Sequence, residues 1–199
     1  MRERLKTLLE AITDDVQTEV VWLNTLSLLE YIGARKIGKT MCQSHPSAVV
    51  LDHWADETRH AYAFKRLCEE LNGGECDEYL AHDSAISFFQ KLDESASKWV
   101  TEATGEDDPR QNYLLVTTLI ERRAMMVYPL YRAATSHDIV RDELQAIIVE
   151  EQDHRVEIEE RAIAHLEARG VDIEAAFALE EDLFGSLLTA MAMEIGVEL

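Results

Sequence analysis

One four-residue spacing occurs twice in this chain and limits what it can fold into. Glu57-Thr58-Arg59-His60 and Glu151-Gln152-Asp153-His154 each set a carboxylate three positions before an imidazole. On an α-helix that spacing puts both side chains on one face, a turn apart. A single rigid element then offers one oxygen and one nitrogen ligand to a divalent metal. Each copy has a lone glutamate ahead of it: Glu30 precedes Glu57 by 27 residues (57 − 30) and Glu121 precedes Glu151 by 30 (151 − 121). In an antiparallel helix pair this means about 12 to 13 residues out to a turn and as many back. At about 1.5 Å per residue, each lone Glu comes level with its E-x-x-H. Turn-like stretches lie near both midpoints, Cys42 to Ser47 and Thr135-Ser136-His137.

Two hairpins, each supplying Glu plus Glu-x-x-His, carry the donor set of di-iron and di-manganese carboxylate bundles. On Glu30, Glu57, His60, Glu121, Glu151 and His154, the chain resembles the ferritin-like superfamily, which includes bacterioferritins, rubrerythrins and di-iron oxidases and oxygenases. The resemblance covers residues 16–168 as an architecture and six positions as a motif. It implies an all-α, ferritin-like four-helix bundle of two antiparallel hairpins, with those six residues as metal ligands.

The composition agrees with an all-helical chain of one domain, residues 1–199. There are only eight Gly and three Pro, with 47% hydrophobic and 29% charged residues. A net charge of −20 without a compensating basic stretch argues against nucleic acid as a partner. It also disfavours an acidic macromolecular substrate such as an acyl carrier protein. Cys42, Cys68 and Cys76 are odd in number and form no C-x-x-C. They read as reduced thiols of a cytoplasmic protein, and a rubredoxin-type iron site is not encoded. The N-terminus does not read as a signal peptide, and the most apolar run, Leu183 to Val197, contains Glu194 and is too short to span a bilayer. No membrane association is expected.

Along the chain, residues 3–12 read as a helix, and Thr13-Asp14-Asp15 as either a cap or a solvated turn. The next stripe is Val16, Val20, Leu23, Leu26, Glu30, Gly33 and Ile37. Glu30 interrupts a face that should be buried, and Glu19, three turns earlier, is its rival. Helix two runs from about Pro46 to the stop at Asn72-Gly73-Gly74, with Trp54, Glu57, His60 and Phe64 inward. His53 is one turn before Glu57 and reads as a satisfied or partly exposed histidine, not a ligand. Residues 77–104 suggest a helical crossover. The next helix, from about Arg110 to Ala134, carries Tyr113, Thr117, Glu121, Ala124, Tyr128 and Tyr131 inward and contains Pro129. The helix from Ser136 to Arg169 presents Glu151, with Glu150 one residue out of register. A last helix, residues 172–195, caps the bundle or forms a homodimer interface; its pattern leaves both open.

Four carboxylates and two imidazoles carry the charge that two divalent cations would balance. Oxygen-rich ligation with two histidines suits iron, or manganese, more than zinc. The implied function is activation of O₂ or peroxide, with an electron donor and a small organic substrate, as in an oxidase or oxygenase. Small residues at Gly33, Ala34 and Ala124 leave room for either a cavity or close helix contact. Ferroxidase, iron-storage or peroxide-detoxifying activity is the alternative, and a metal-free helical scaffold a third. No haem is expected, because Thr58 stands where bacterioferritins carry a haem-ligating methionine.

Overall fold

The computed structural model describes residues 1–42 and 45–199, the side chains at 153–161 excepted. Among these, seven helices and no strands are present: α1 (Arg2–Asp14), α2 (Val16–Thr40), α3 (Ala48–Asn72), α4 (His82–Thr104), α5 (Pro109–Ala134), α6 (Asp138–Glu167) and α7 (Ile173–Glu194). The fold is all-α.

Local chemistry sets most of the boundaries. Asp15 caps α2, its Oδ2 accepting from the Thr18 amide at 2.8 Å, so Thr13-Asp14-Asp15 separates two helices. Ser47 caps α3, which ends at Gly73 with φ of 72°, a left-handed conformation that glycine adopts without steric cost. Asp108 caps α5 with Pro109 behind it, a helical first position that needs no amide donor. α5 then runs through Pro129 to Ala134.

Pairs of contacting residues give the topology. Between α2 and α3 the Ser27 hydroxyl donates to the Ala61 carbonyl at 2.7 Å, and Lys65 Nζ to Asn24 Oδ1 at 3.1 Å. A Cβ on Gly38 would meet the Trp54 ring at 3.1 Å. As one number falls the other rises, so the helices are antiparallel. α5 and α6 form the second closely packed pair, and the two pairs meet through α3 with α6 and α2 with α5. α4 is the helical link between the pairs and packs on α5, α7 and α2.

The structure corrects two expectations. The crossover helix begins at His82, not near residue 77, because the preceding backbone is tied down by side chains of the first pair. Asn24 Nδ2 donates to the carbonyls of Cys76 and Glu78, and the Leu80 amide donates to Thr25 Oγ1 at 2.8 Å. Trp54 and Val16, read as inward, are exposed; Trp54 lies over Gly38 at the rim of the pair.

α7 lies against the rest of the chain, packing on α4, α1, α5 and α6 and burying Phe184, Leu187, Leu188 and Met191. Arg123 of α5 and Glu180 of α7 fasten it: Nε meets Oε1 at 2.8 Å and Nη2 meets Oε2 at 2.5 Å, with both side chains at least nine-tenths buried. The guanidinium also stacks over the Phe184 ring, 4.3 Å from its centroid. Among the described residues no helix is long and apolar enough to cross a membrane.

Candidate metal centre

Glu30 on α2 and Glu57 on α3 face each other across the first helix pair, where their carboxyl groups hydrogen-bond. Gly33 makes this approach possible: a Cβ there would lie 3.0 Å from Glu57 Oε2. One turn along α3 from Glu57, His60 points across to α6. Its Nδ1 is 3.2 Å from Glu151 Oε1 and its Nε2 is 2.9 Å from Glu150 Oε2. Glu121 enters from α5, its Oε1 lying 3.8 Å from His53 Nε2. Thus Glu30, Glu57, His60, Glu121 and Glu151 gather between the two pairs, with only 8%, 1%, 3% and 5% exposure at the last four. Glu30 is half-buried and lines a cavity. His154 falls outside the residues whose side chains are described.

The structure gives contacts to several neighbours that the sequence reading named without making them ligands. His53 is buried inside the cluster, with Nε2 3.0 Å from Glu57 Oε1 and Nδ1 2.6 Å from the Tyr113 hydroxyl. Both ring nitrogens are thus engaged, one by a phenol and one by a carboxyl group, which fixes the orientation of the imidazole. The signal was present: His53, Glu57 and His60 lie four and three residues apart on one helix face. Tyr128 donates its hydroxyl to Glu30. Glu150, one residue outside the motif, takes the outer nitrogen of His60 and pairs with Arg59 at 2.8 Å. Glu19 proves to belong elsewhere: it is fully buried beside Tyr131, Thr135 and His137, holding the start of α2 to the α5–α6 turn.

The electrostatics follow from crowding acids away from water. Burial, and then the charge of Glu57, hold the Glu30 carboxyl well above the ordinary carboxylate range. Burial and the charge of Glu151 raise Glu57 to about 7. Burial works against the His60 imidazolium, but Glu151, Glu30 and Glu150 outweigh it and raise His60 to about 10. Tyr113 and Tyr128 stay neutral phenols, their pKa values pushed up first by burial and then by the adjacent glutamates.

Glu30, Glu57 and Glu121 open onto a cavity of about 90 Å³ walled by α2, α4, α5 and α7. Phe88, Phe89, Val127, Leu187 and Met191 contribute apolar surface, and Gly33 and Ala124 border it. Ala34 is buried and does not line it. Lys36 does, two turns beyond Glu30.

The donor set suits divalent cations. Hard carboxylate oxygens and an imidazole are held in a poorly hydrated pocket whose raised acid pKa values register mutual repulsion, and a cation would relieve it. Among the described residues no three His, Cys, Asp or Glu side chains converge as ligands of one ion. They are engaged instead with one another, His53, Tyr128 and Glu150. Comparison with protein-family models, curated proteins and solved structures gives no match for this chain.

Proposed function

We propose that this chain is a di-metal carboxylate protein, with iron or manganese, that reacts with O₂ or peroxide and oxidises a small organic substrate. The observation carrying this reading is the meeting of four glutamates and His60 from four helices between the two helix pairs, with Glu30, Glu57 and Glu121 opening onto an apolar cavity. A purely structural core has no use for four buried acids, since burying charge without a partner costs several kcal/mol per ion, roughly. The resemblance to ferritin-like proteins supports the same assignment. Glu30, Glu57 and His60 would hold one ion, and Glu121, Glu151 and His154 the other.

Two such ions, when bound, supply the electrons for reducing O₂ or peroxide. The chain's own contribution is positioning and exclusion of water. Tyr128 fixes the Glu30 carboxylate, and the Tyr113–His53 pair fixes that of Glu57. Arg59 and Glu150 hold the outer edge of His60, which sets the direction of the imidazole. Supporting partners of this kind commonly change metal affinity by about 10- to 100-fold when removed. Phe88, Phe89 and Met191 keep the cavity apolar, so an organic molecule entering there displaces little bound water.

Anaerobic Fe(II) loading followed by O₂, with product analysis and sizing, tests this reading. A small oligomer that turns over an organic co-substrate supports it. A soluble ferric core inside a large shell would replace it with iron storage.

A further inference from the structure

Two cationic side chains, Lys36 and Arg123, line the cavity beside the glutamates; Arg123 is paired with Glu180, and no part of the proposed centre uses Lys36. Lys36 reaches its wall from α2, six residues past Glu30, which is about 9 Å along a helix axis. Its side chain is only 14% exposed and its ammonium contacts Asp93 Oδ1. Asp93 is 41% exposed and also accepts from Asn112 Nδ2 at 2.8 Å, so water and Asn112 share in meeting its charge. An ammonium has three donors. Asp93 takes one, and among the described residues no other protein acceptor engages this nitrogen. A largely buried cation with donors to spare therefore lines the same apolar space as the glutamates.

We infer that the cavity binds a short-chain aliphatic carboxylate, with its carboxylate on Lys36 and its hydrocarbon end against the Glu30–Glu57 cluster. The volume sets the length. A cavity of 150 Å³ accommodates benzene, so 90 Å³ holds about four carbons. With the carboxylate at the wall on Lys36, a tail of about four carbons corresponds to an acid near pentanoate. The net charge of −20 disfavours an acidic macromolecule but not a small monoanion, because a single charge needs only one local partner. The inference names the substrate class for the proposed oxidation; the oxidation step rests on that reading, whereas binding does not.

Calorimetric titration of the metal-free full-length protein at pH 7 with pentanoate, octanoate and 1-pentanol tests it. Pentanoate is expected to bind about tenfold or more tightly than 1-pentanol, the difference one charge-assisted hydrogen bond makes, and more tightly than octanoate. Lys36→Met should bring pentanoate down to the affinity of the alcohol and leave the alcohol unchanged. Asp93→Asn, which keeps the lysine and removes its competing anion, should tighten pentanoate. This second variant keeps the test decisive if Lys36→Met does not fold. Pentanoate binding no tighter than 1-pentanol, octanoate binding tightest, or an affinity indifferent to the substitutions would overturn the inference. Because no metal is present, these failures would leave the metal reading standing, and a failed metal titration would leave this one standing.

Discussion

Gly33 shows at the residue scale how the site governs the sequence. A glycine inside a helix costs about 0.5–1 kcal/mol relative to alanine. Here a methyl group would sit 3.0 Å from Glu57 Oε2, the far end of a side chain able to swing away. Gly33→Ala is therefore expected to leave the metal-free protein within about 1 kcal/mol of its original stability while weakening metal binding roughly tenfold, or 1.4 kcal/mol. Thermal melts and metal titrations on the same variant check both parts; unchanged metal affinity would show that Glu57 need not occupy that spot. Lys36 gives a pH signature. Burial lowers its ammonium to about 8 despite the Asp93 partner, against about 10.4 in an unfolded chain. Between those values the unfolded state binds the extra proton, so the lysine's unfavourable contribution, complete below pH 8, fades as pH rises toward 10.4. Wild type should gain stability relative to Lys36→Met across that window, by up to about one proton in the slope, as read from denaturant melts at several pH values. A flat difference would mean that the ammonium is well hydrated.

Elements were far more legible in the sequence than their surroundings. Helical periodicity, the caps at Asp15, Ser47 and Asp108, and the stop at Gly73 are local signals, and the helices fall where those signals lie. The start of α4 was misplaced because the strip before it is held by Asn24 and Thr25, more than fifty residues away, which no local pattern encodes. The candidate site divides in the same way. Glu30, Glu57 and His60 could be read from spacing alone. His53, Tyr113 and Tyr128 matter through contacts between helices, and an inward tyrosine looks the same in sequence whether it meets leucine or a glutamate. The role of α7 was open for this reason too, and the Arg123–Glu180 pair now places it over the cavity as a wall. Removing one partner of a buried ion pair costs about 3–5 kcal/mol, because the other charge is left stranded. Glu180→Ala should show a loss of that order, with amide exchange rising first in residues 173–194. An Arg123→Met, Glu180→Leu double variant should recover most of it. If Glu180→Ala is as stable as wild type, the pair does not anchor α7.

At the scale of the whole molecule, the chain brings its acids together where it is least able to hydrate them. Thirty-nine acidic residues against nineteen basic ones leave a net charge of −20, and most of that excess can sit in water. Glu30, Glu57, Glu121 and Glu151 cannot, and the shifts at Glu30 and Glu57 show the cost. A ligand that binds only the native state raises stability by about 4 kcal/mol when it is free at a thousand times its dissociation constant. The most direct measurement is therefore an anaerobic titration of chelator-treated protein with Fe(II) or Mn(II), following ions bound per chain and melting temperature together. The di-metal reading predicts about two ions per chain and a melting temperature that climbs as they bind. Fewer than one ion per chain, with no thermal shift, would contradict it.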